Sequence, residues 1–257
     1  MSAGQPLVSF HVDDGVGLVR LDDARHRNAL SKRLSDDLAT AVAAVIDAGA
    51  GAIVLSAEPP VFCAGGSLPG LLNRDVELAD MYAGQRALIG APVPTIAAVA
   101  GAAVGAGVNL PLACDVVIAA QSARFDPRFL DVGIHPGGGH LWRLAQRVGA
   151  QGAAALVLCG DVLTGEEAAA GGLAWRCVPN SEVEPAALGL ARRAAGRSRA
   201  LVARTKHTLR AMAAVTSFDD AFACELDAQQ WSVAQPEFGA AVRRVQADLA
   251  ARKNKPH

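Results

Sequence analysis

Two glycine- and alanine-rich loops constrain this chain more than any other feature: Phe62–Gly70 (FCAGGSLPG) and Ala100–Cys114 (AGAAVGAGVNLPLAC). Each follows an apolar run of strand character, Ala52–Ser56 before the first and Thr95–Val99 before the second. Each leads into an expected helix start. Small residues there let the backbone approach a ligand closely and leave N–H groups unclaimed. Two such groups aimed at one oxygen make an oxyanion hole. Tight strand-to-helix packing gives the same composition, so one loop alone decides nothing.

The surrounding pattern predicts an α/β chain. Leu7–Val12 and Val16–Leu21 flank Asp13-Asp14-Gly15, a hairpin signal, because Asp-Gly supports positive φ. Ser31 is placed to cap a helix to about Asp47, with Leu34, Leu38, Val42, Val45 and Ile46 on one face. Strands alternating with helices imply crossovers and a mainly parallel sheet. From Gln151 onward the pattern is mostly helical: about Gln151–Cys159, Gly165–Gly171, Glu184–Arg193, Ser198–Ala214 and Phe218–Val233, then a last helix to Arg252. The tail Ala251–His257 is expected to fray.

Composition narrows the function classes. At 257 residues, 51% hydrophobic and 19% charged, the chain has material for a sizeable core. A net charge of -1 argues against a nucleic-acid surface. The five cysteines are widely spaced with no C-x-x-C pair, which predicts small buried residues of a reducing compartment and no metal site. The first residues have neither a basic start nor a long apolar segment, so a cytoplasmic location is expected. The uncharged interval Ala87–Ala113 is long enough for a bilayer, but Pro92, Pro94, Pro111 and four glycines interrupt it, and no membrane span is expected.

Five ordered segments together resemble the crotonase (enoyl-CoA hydratase/isomerase) superfamily over nearly the whole chain. They are Arg27-Asn28-Ala29-Leu30; Phe62–Leu68; Ala100–Asp115; Phe125–Gly149, with Gly133 and Pro136; and Leu156–Leu173. The resemblance implies a crotonase-like spiral of ββα repeats, residues 1–180, with the acyl-CoA site. It also implies a helical C-terminal trimerisation region, residues 181–257, and hence a homo-trimer or a dimer of trimers. The implied partner is an acyl-CoA or enoyl-CoA, a thioester substrate or ligand rather than a resident cofactor. The implied setting is fatty acid metabolism.

The resemblance also assigns residues. The Gly66 and Ala106 N–H groups would be the two oxyanion donors. Arg27, Ala29, Ala64, Gly66 and Leu68 would line the coenzyme, with Arg25 also placed to meet phosphate. Ser67 stands where the family usually has Asp, and Pro69 where lysine is frequent. The two hydratase glutamates fall on Asn109 and Phe129. Asn can hold a water but cannot take its proton, and Phe has no proton chemistry.

Replacement groups are few. Asp131 lies two residues past the vacated acid, as a candidate base or a structural pairing residue. His135 and His140 flank Pro136-Gly137-Gly138-Gly139, as bases or as satisfied structural histidines. Three readings stay open: an enzyme on acyl-CoA, either the nominal hydratase (a lyase) or an isomerase or other enolate enzyme; a non-catalytic acyl-CoA binder; or a protein that keeps only the scaffold.

Overall fold

The computed structural model describes residues 5–73 and 77–253. They fall into two compact units, Met1–Arg197 and Ser198–His257.

The first unit opens with the expected hairpin. Strands β1 (Val8–Asp13) and β2 (Val16–Leu21) pair antiparallel, and the turn between them has Asp14 at φ 47° and Gly15 at φ 72°. Positive φ at both central residues matches the right-handed twist of the flanking strands. Helix α1 (Lys32–Asp47) starts where Ser31 Oγ accepts the Leu34 N–H, and it buries Leu34, Leu38, Val42 and Val45. Strand β3 (Ala52–Ala57) then pairs parallel with β2.

After α2 (Leu68–Asn73) and α3 (Ala83–Gly90), the chain settles into a repeat. Strand β4 (Thr95–Val99) joins the large sheet, β5 (Ala102–Val104) the small one, and α4 (Asn109–Ala113) follows. The next turn repeats this with β6 (Val116–Ala120) in the large sheet, β7 (Arg124–Asp126) in the small one, and α5 (His140–Leu158). Then come β8 (Leu163–Thr164), α6 (Gly165–Ala170), β9 (Arg176–Val178) and α7 (Val183–Ala195). The large sheet runs β1-β2-β3-β4-β6-β9 and the small one β5-β7-β8. Every pairing in the large sheet after β1-β2 is parallel.

Both faces of the large sheet are buried along its central strands β3, β4 and β6, so those strands read as continuous apolar runs. Ile53, Leu55, Ala97, Val99, Val117 and Ala119 face the core that holds α1. The alternate residues Val54, Ile96, Ala98, Ile118 and Ala120 pack with Val183, Ala187 and Ala191 of α7. Helix α7 covers the sheet, and the compact unit that holds it runs to Arg197, past the expected division at residue 180.

The span His140–Leu158 is two helices on either side of the non-helical Gly149 (φ 72°, ψ 173°), and the second of them is the helix expected from about Gln151. A glycine takes that conformation without a Cβ penalty, which is why the sequence pattern changes there. Helix α6 carries a full capping box: Thr164 Oγ1 accepts the Glu167 N–H, and Glu167 accepts the Thr164 N–H at 2.8 Å.

The second unit holds α8 (Arg199–Ala211), α9 (Phe218–Val233) and α10 (Pro236–Lys253). Ser198 and Ser217 cap α8 and α9. Arg204 of α8 pairs with Asp227 of α9 and lies 5.5 Å from the Trp231 ring centroid. Leu209, Phe218 and Phe222 remain exposed. Of the tail Ala251–His257, backbone helix continues to Lys253 and the rest lies outside the described residues. Among the described residues, no helix is long and apolar enough to cross a membrane.

Candidate active site

Three segments converge at the ends of β3 and β4. The first is the turn at Arg27-Asn28, where both residues adopt φ near +55° (55° and 53°). Such a pair of non-glycine residues is costly unless the surroundings fix it. Asn28 supplies the fixing. Its side chain is fully buried, accepts the Asp23 N–H at 2.9 Å, and donates to the carbonyls of Glu58 at 2.9 Å and Val61 at 2.8 Å.

That turn carries the first glycine loop alongside it. Ala64 N–H donates to Arg27 O at 3.0 Å, Leu30 N–H to Gly65 O at 2.7 Å, and Ser67 N–H to Leu30 O at 2.8 Å. Ala29, Ala64 and Gly66 are half-buried along this seam, whereas Arg25, Arg27 and Leu68 are exposed at its rim. The residues expected to line a coenzyme are therefore brought together on one seam.

The second loop is stitched to the first. Cys63 N–H donates to Ala102 O at 3.0 Å, and Val104 N–H donates to Cys63 O at 2.9 Å. The approach is too close for side chains. A Cβ on Gly65 (φ 91°) would lie 2.6 Å from Val104 O and 3.7 Å from Ala106 N, and one on Gly107 would lie 2.4 Å from Cys63 O. Ala106 sits in the 3-10 turn Gly105–Val108 that runs directly into α4, so its N–H belongs to a helix start. The Gly66 N–H takes no part in the loop bonds among the described residues. Burial pushes the Cys63 thiol up to about 12, so this cysteine packs and does not attack.

Asn109 and Phe129, the positions where the resemblance expects acids, meet on one residue. Asn109 is buried, and its Nδ2 donates to Gly137 O at 3.1 Å. Its Oδ1 accepts from His140 Nδ1 at 2.8 Å. The Phe129 ring packs edge-on against the same imidazole, with centroids 4.8 Å apart. Burial pushes His140 down to about 4, so the ring is neutral near neutral pH.

The glycine turn between them is clamped from two sides. Gln85 Nε2 donates to Gly138 O at 2.7 Å, while Asn109 holds Gly137 O. Tyr82 closes the turn's other flank: a Cβ on Gly138 (φ 69°) would lie 2.5 Å from its ring. Gln85 and Tyr82 carried no sequence signal, since the chain around them matches no motif.

The other candidates are exposed at the surface. Asp131 is exposed on the 3-10 turn Leu130–Val132, and its charge acts on Arg128, which pairs with Asp126. His135 is exposed, and its Nδ1 lies 2.8 Å from Pro136 O. Among the described residues, no group of three or more His, Cys, Asp and Glu side chains could hold a metal ion.

Comparisons with known proteins agree on one family. The family model "Enoyl-CoA hydratase/isomerase" matches residues 11–242. A probable enoyl-CoA hydratase of Mycobacterium tuberculosis, EchA14, is 39% identical over 250 residues, covering 93% of this chain and 97% of its own. The crystal structure of an enoyl-CoA hydratase from Polaromonas sp. JS666 superposes with a TM-score of 0.87 at 26% identity, covering 94% of this chain and 97% of that one. Human enoyl coenzyme A hydratase domain-containing protein 3 gives a TM-score of 0.86 at 25% identity, covering 98% of this chain and 100% of that one.

Proposed function

Because this chain belongs to the enoyl-CoA hydratase/isomerase family and has the crotonase fold, we propose that it binds an acyl-CoA thioester and stabilises the enolate form of it. The observation that carries this reading is the stitching of the two loops. It leaves the Gly66 N–H unclaimed and puts the Ala106 N–H at a helix start beside it. Donors fixed in this way stabilise a developing oxyanion without reorganising during the reaction. The coenzyme would lie along Arg27, Ala29, Ala64 and Leu68, with Arg25 and Arg27 at the rim for its phosphates.

The proton chemistry differs from that of a two-carboxylate hydratase. Asn109 and Phe129 offer no acid or base. The site favours proton transfer at the α-carbon, or a double-bond shift, over addition of water. A second reading, a binder without turnover, is favoured by the same two residues. We also infer a trimer or a dimer of trimers, supported by the exposed Leu209, Phe218 and Phe222 of the second unit. A cytoplasmic setting and a role in fatty acid metabolism belong to the same reading.

Titration calorimetry with butyryl-CoA, crotonyl-CoA and free coenzyme A tests it. Binding of the thioesters is expected, and crotonyl-CoA hydration is expected to be slower by about 10²-fold or more than with both carboxylates present. No heat with any thioester overturns the proposal. Rapid hydration overturns the account of Asn109 and Phe129.

A further inference from the structure

Asn109 and His140 close a ring of hydrogen bonds behind the second glycine loop. Asn109 Nδ2 donates to Gly137 O at 3.1 Å, and the backbone N–H of His140 reaches the same carbonyl at 3.3 Å. His140 Nδ1 then meets Asn109 Oδ1 at 2.8 Å. The Gly137 carbonyl can only accept, so the Nδ2 end of the amide faces it and Oδ1 faces the imidazole. Burial keeps that ring neutral, so its single proton sits on Nδ1. Both side chains belong to residues only 1% exposed, so no solvent replaces either partner if the other is lost.

This ring is one bond away from Ala106. The backbone N–H of Asn109 donates to Ala106 O across the 3-10 turn Gly105–Val108. On the other side of Ala106, a Cβ on Gly105 would meet nothing within 4 Å among the described residues. Ala106 is therefore held from the residues that follow it. Gly107 is one hold, since a Cβ there would lie 2.4 Å from Cys63 O. Asn109 is the other. A close contact at one point leaves a turn free to rock, and the second hold fixes its orientation. That second hold depends on His140, because Asn109 Oδ1 would otherwise be a buried acceptor without a donor.

We propose that His140 is a positioning residue of the oxyanion hole: its Nδ1–H, acting through the Asn109 amide, fixes the direction of the Ala106 N–H. This rests on the acyl-thioester reading above. His140 neither gives nor takes a proton in the reaction. A donor helps a developing oxyanion only where it is aimed before the reaction begins. The amide at position 109 cannot transfer a proton, and with His140 behind it, it orients a donor instead.

Isotope-edited infrared spectroscopy of butyryl-CoA, labelled with heavy carbon at its thioester carbonyl, tests this. Bound to the wild type, the carbonyl stretch is expected to fall below its value in water. His140→Leu keeps an apolar side chain in the same place and removes the donor. It is expected to lose about half of that fall, one donor of two being misaimed, with affinity reduced by about tenfold or less. His140→Asn puts an amide N–H where Nδ1–H stands and is expected to keep most of the fall, which a role in packing alone would not produce. If His140→Leu does not fold, the wild type still decides: its nitrogen resonances are expected to show Nδ1 of His140 protonated and Nε2 bare. The proposal is overturned if folded His140→Leu gives the wild-type carbonyl stretch. It is also overturned if His140→Asn loses as much as His140→Leu, or if the ring proton is found on Nε2. Butyryl-CoA that fails to bind the wild type, or binds with an unshifted carbonyl, would overturn the acyl-thioester reading itself and this proposal with it.

Discussion

Nδ1 of His140 donates to Oδ1 of Asn109 across 2.8 Å, joining the first residue of α5 to the first residue of α4. That bond fixes the tautomer of a histidine whose other nitrogen is buried and unpartnered. It also makes the site's electrostatics measurable through stability.

Burial holds the pKa of His140 down at about 4 in the folded chain, against 6.5 for an ordinary solvated imidazole. Between those values the unfolded chain binds the proton more readily, so folding weakens as pH falls from 6.5 toward 4, with no contribution above that window. The gap corresponds to about 3 kcal/mol of lost stability. Urea unfolding of wild type and His140→Gln at both ends of the window is expected to show this extra loss only in the wild type. Parallel pH profiles would show that the ring is not held neutral.

Asn28 is expected to be a large single contributor to loop order. Replacing it by Ala removes three hydrogen bonds and leaves the Asp23 N–H and the Glu58 and Val61 carbonyls without their partner. It also leaves a non-asparagine residue at φ 53°. A loss of about 3 kcal/mol in urea unfolding is expected. A loss below about 1 kcal/mol would mean that the turn holds without it.

The difference between Asn28 and α1 shows what could be read in the sequence. The hairpin and α1 were legible because their signals are local: Asp-Gly at a turn, a serine cap at Ser31, apolar residues at helical spacing. The two glycine loops were legible as motifs. What they touch was not, because the partners are far along the chain. Asn28 reaches Val61, Gln85 reaches Gly138 and His140 reaches Asn109, separations of 33, 53 and 31 residues. Side-chain to backbone bonds of that span leave no periodicity. The packing of α7 on the sheet was not legible for a related reason: its alanine face reads alike whether it meets a sheet or another helix.

Gly65→Ala is expected to separate loop geometry from overall stability. Its Cβ would lie 2.6 Å from Val104 O at a backbone φ of 91°, so the two loops must move apart. Calorimetry is expected to show butyryl-CoA affinity falling by about tenfold or more, because both oxyanion donors shift. Unchanged affinity in a folded variant would remove the loops from the binding site.

Leu209, Phe218 and Phe222 are expected to be covered in solution by further copies of the chain. Sedimentation at micromolar concentration is expected to give a trimer or twice that, with Phe218→Asp and Phe222→Asp shifting it toward smaller species. A stable wild-type monomer would contradict the assembly.

A crystal structure of the protein with butyryl-CoA tests the central claim most directly. The thioester oxygen is expected about 2.7–3.1 Å from the backbone nitrogens of both Gly66 and Ala106. The α-carbon is expected on the side of the site that holds Asn109, Phe129 and His140. A thioester bound elsewhere, or an oxygen held by neither N–H group, would contradict the account.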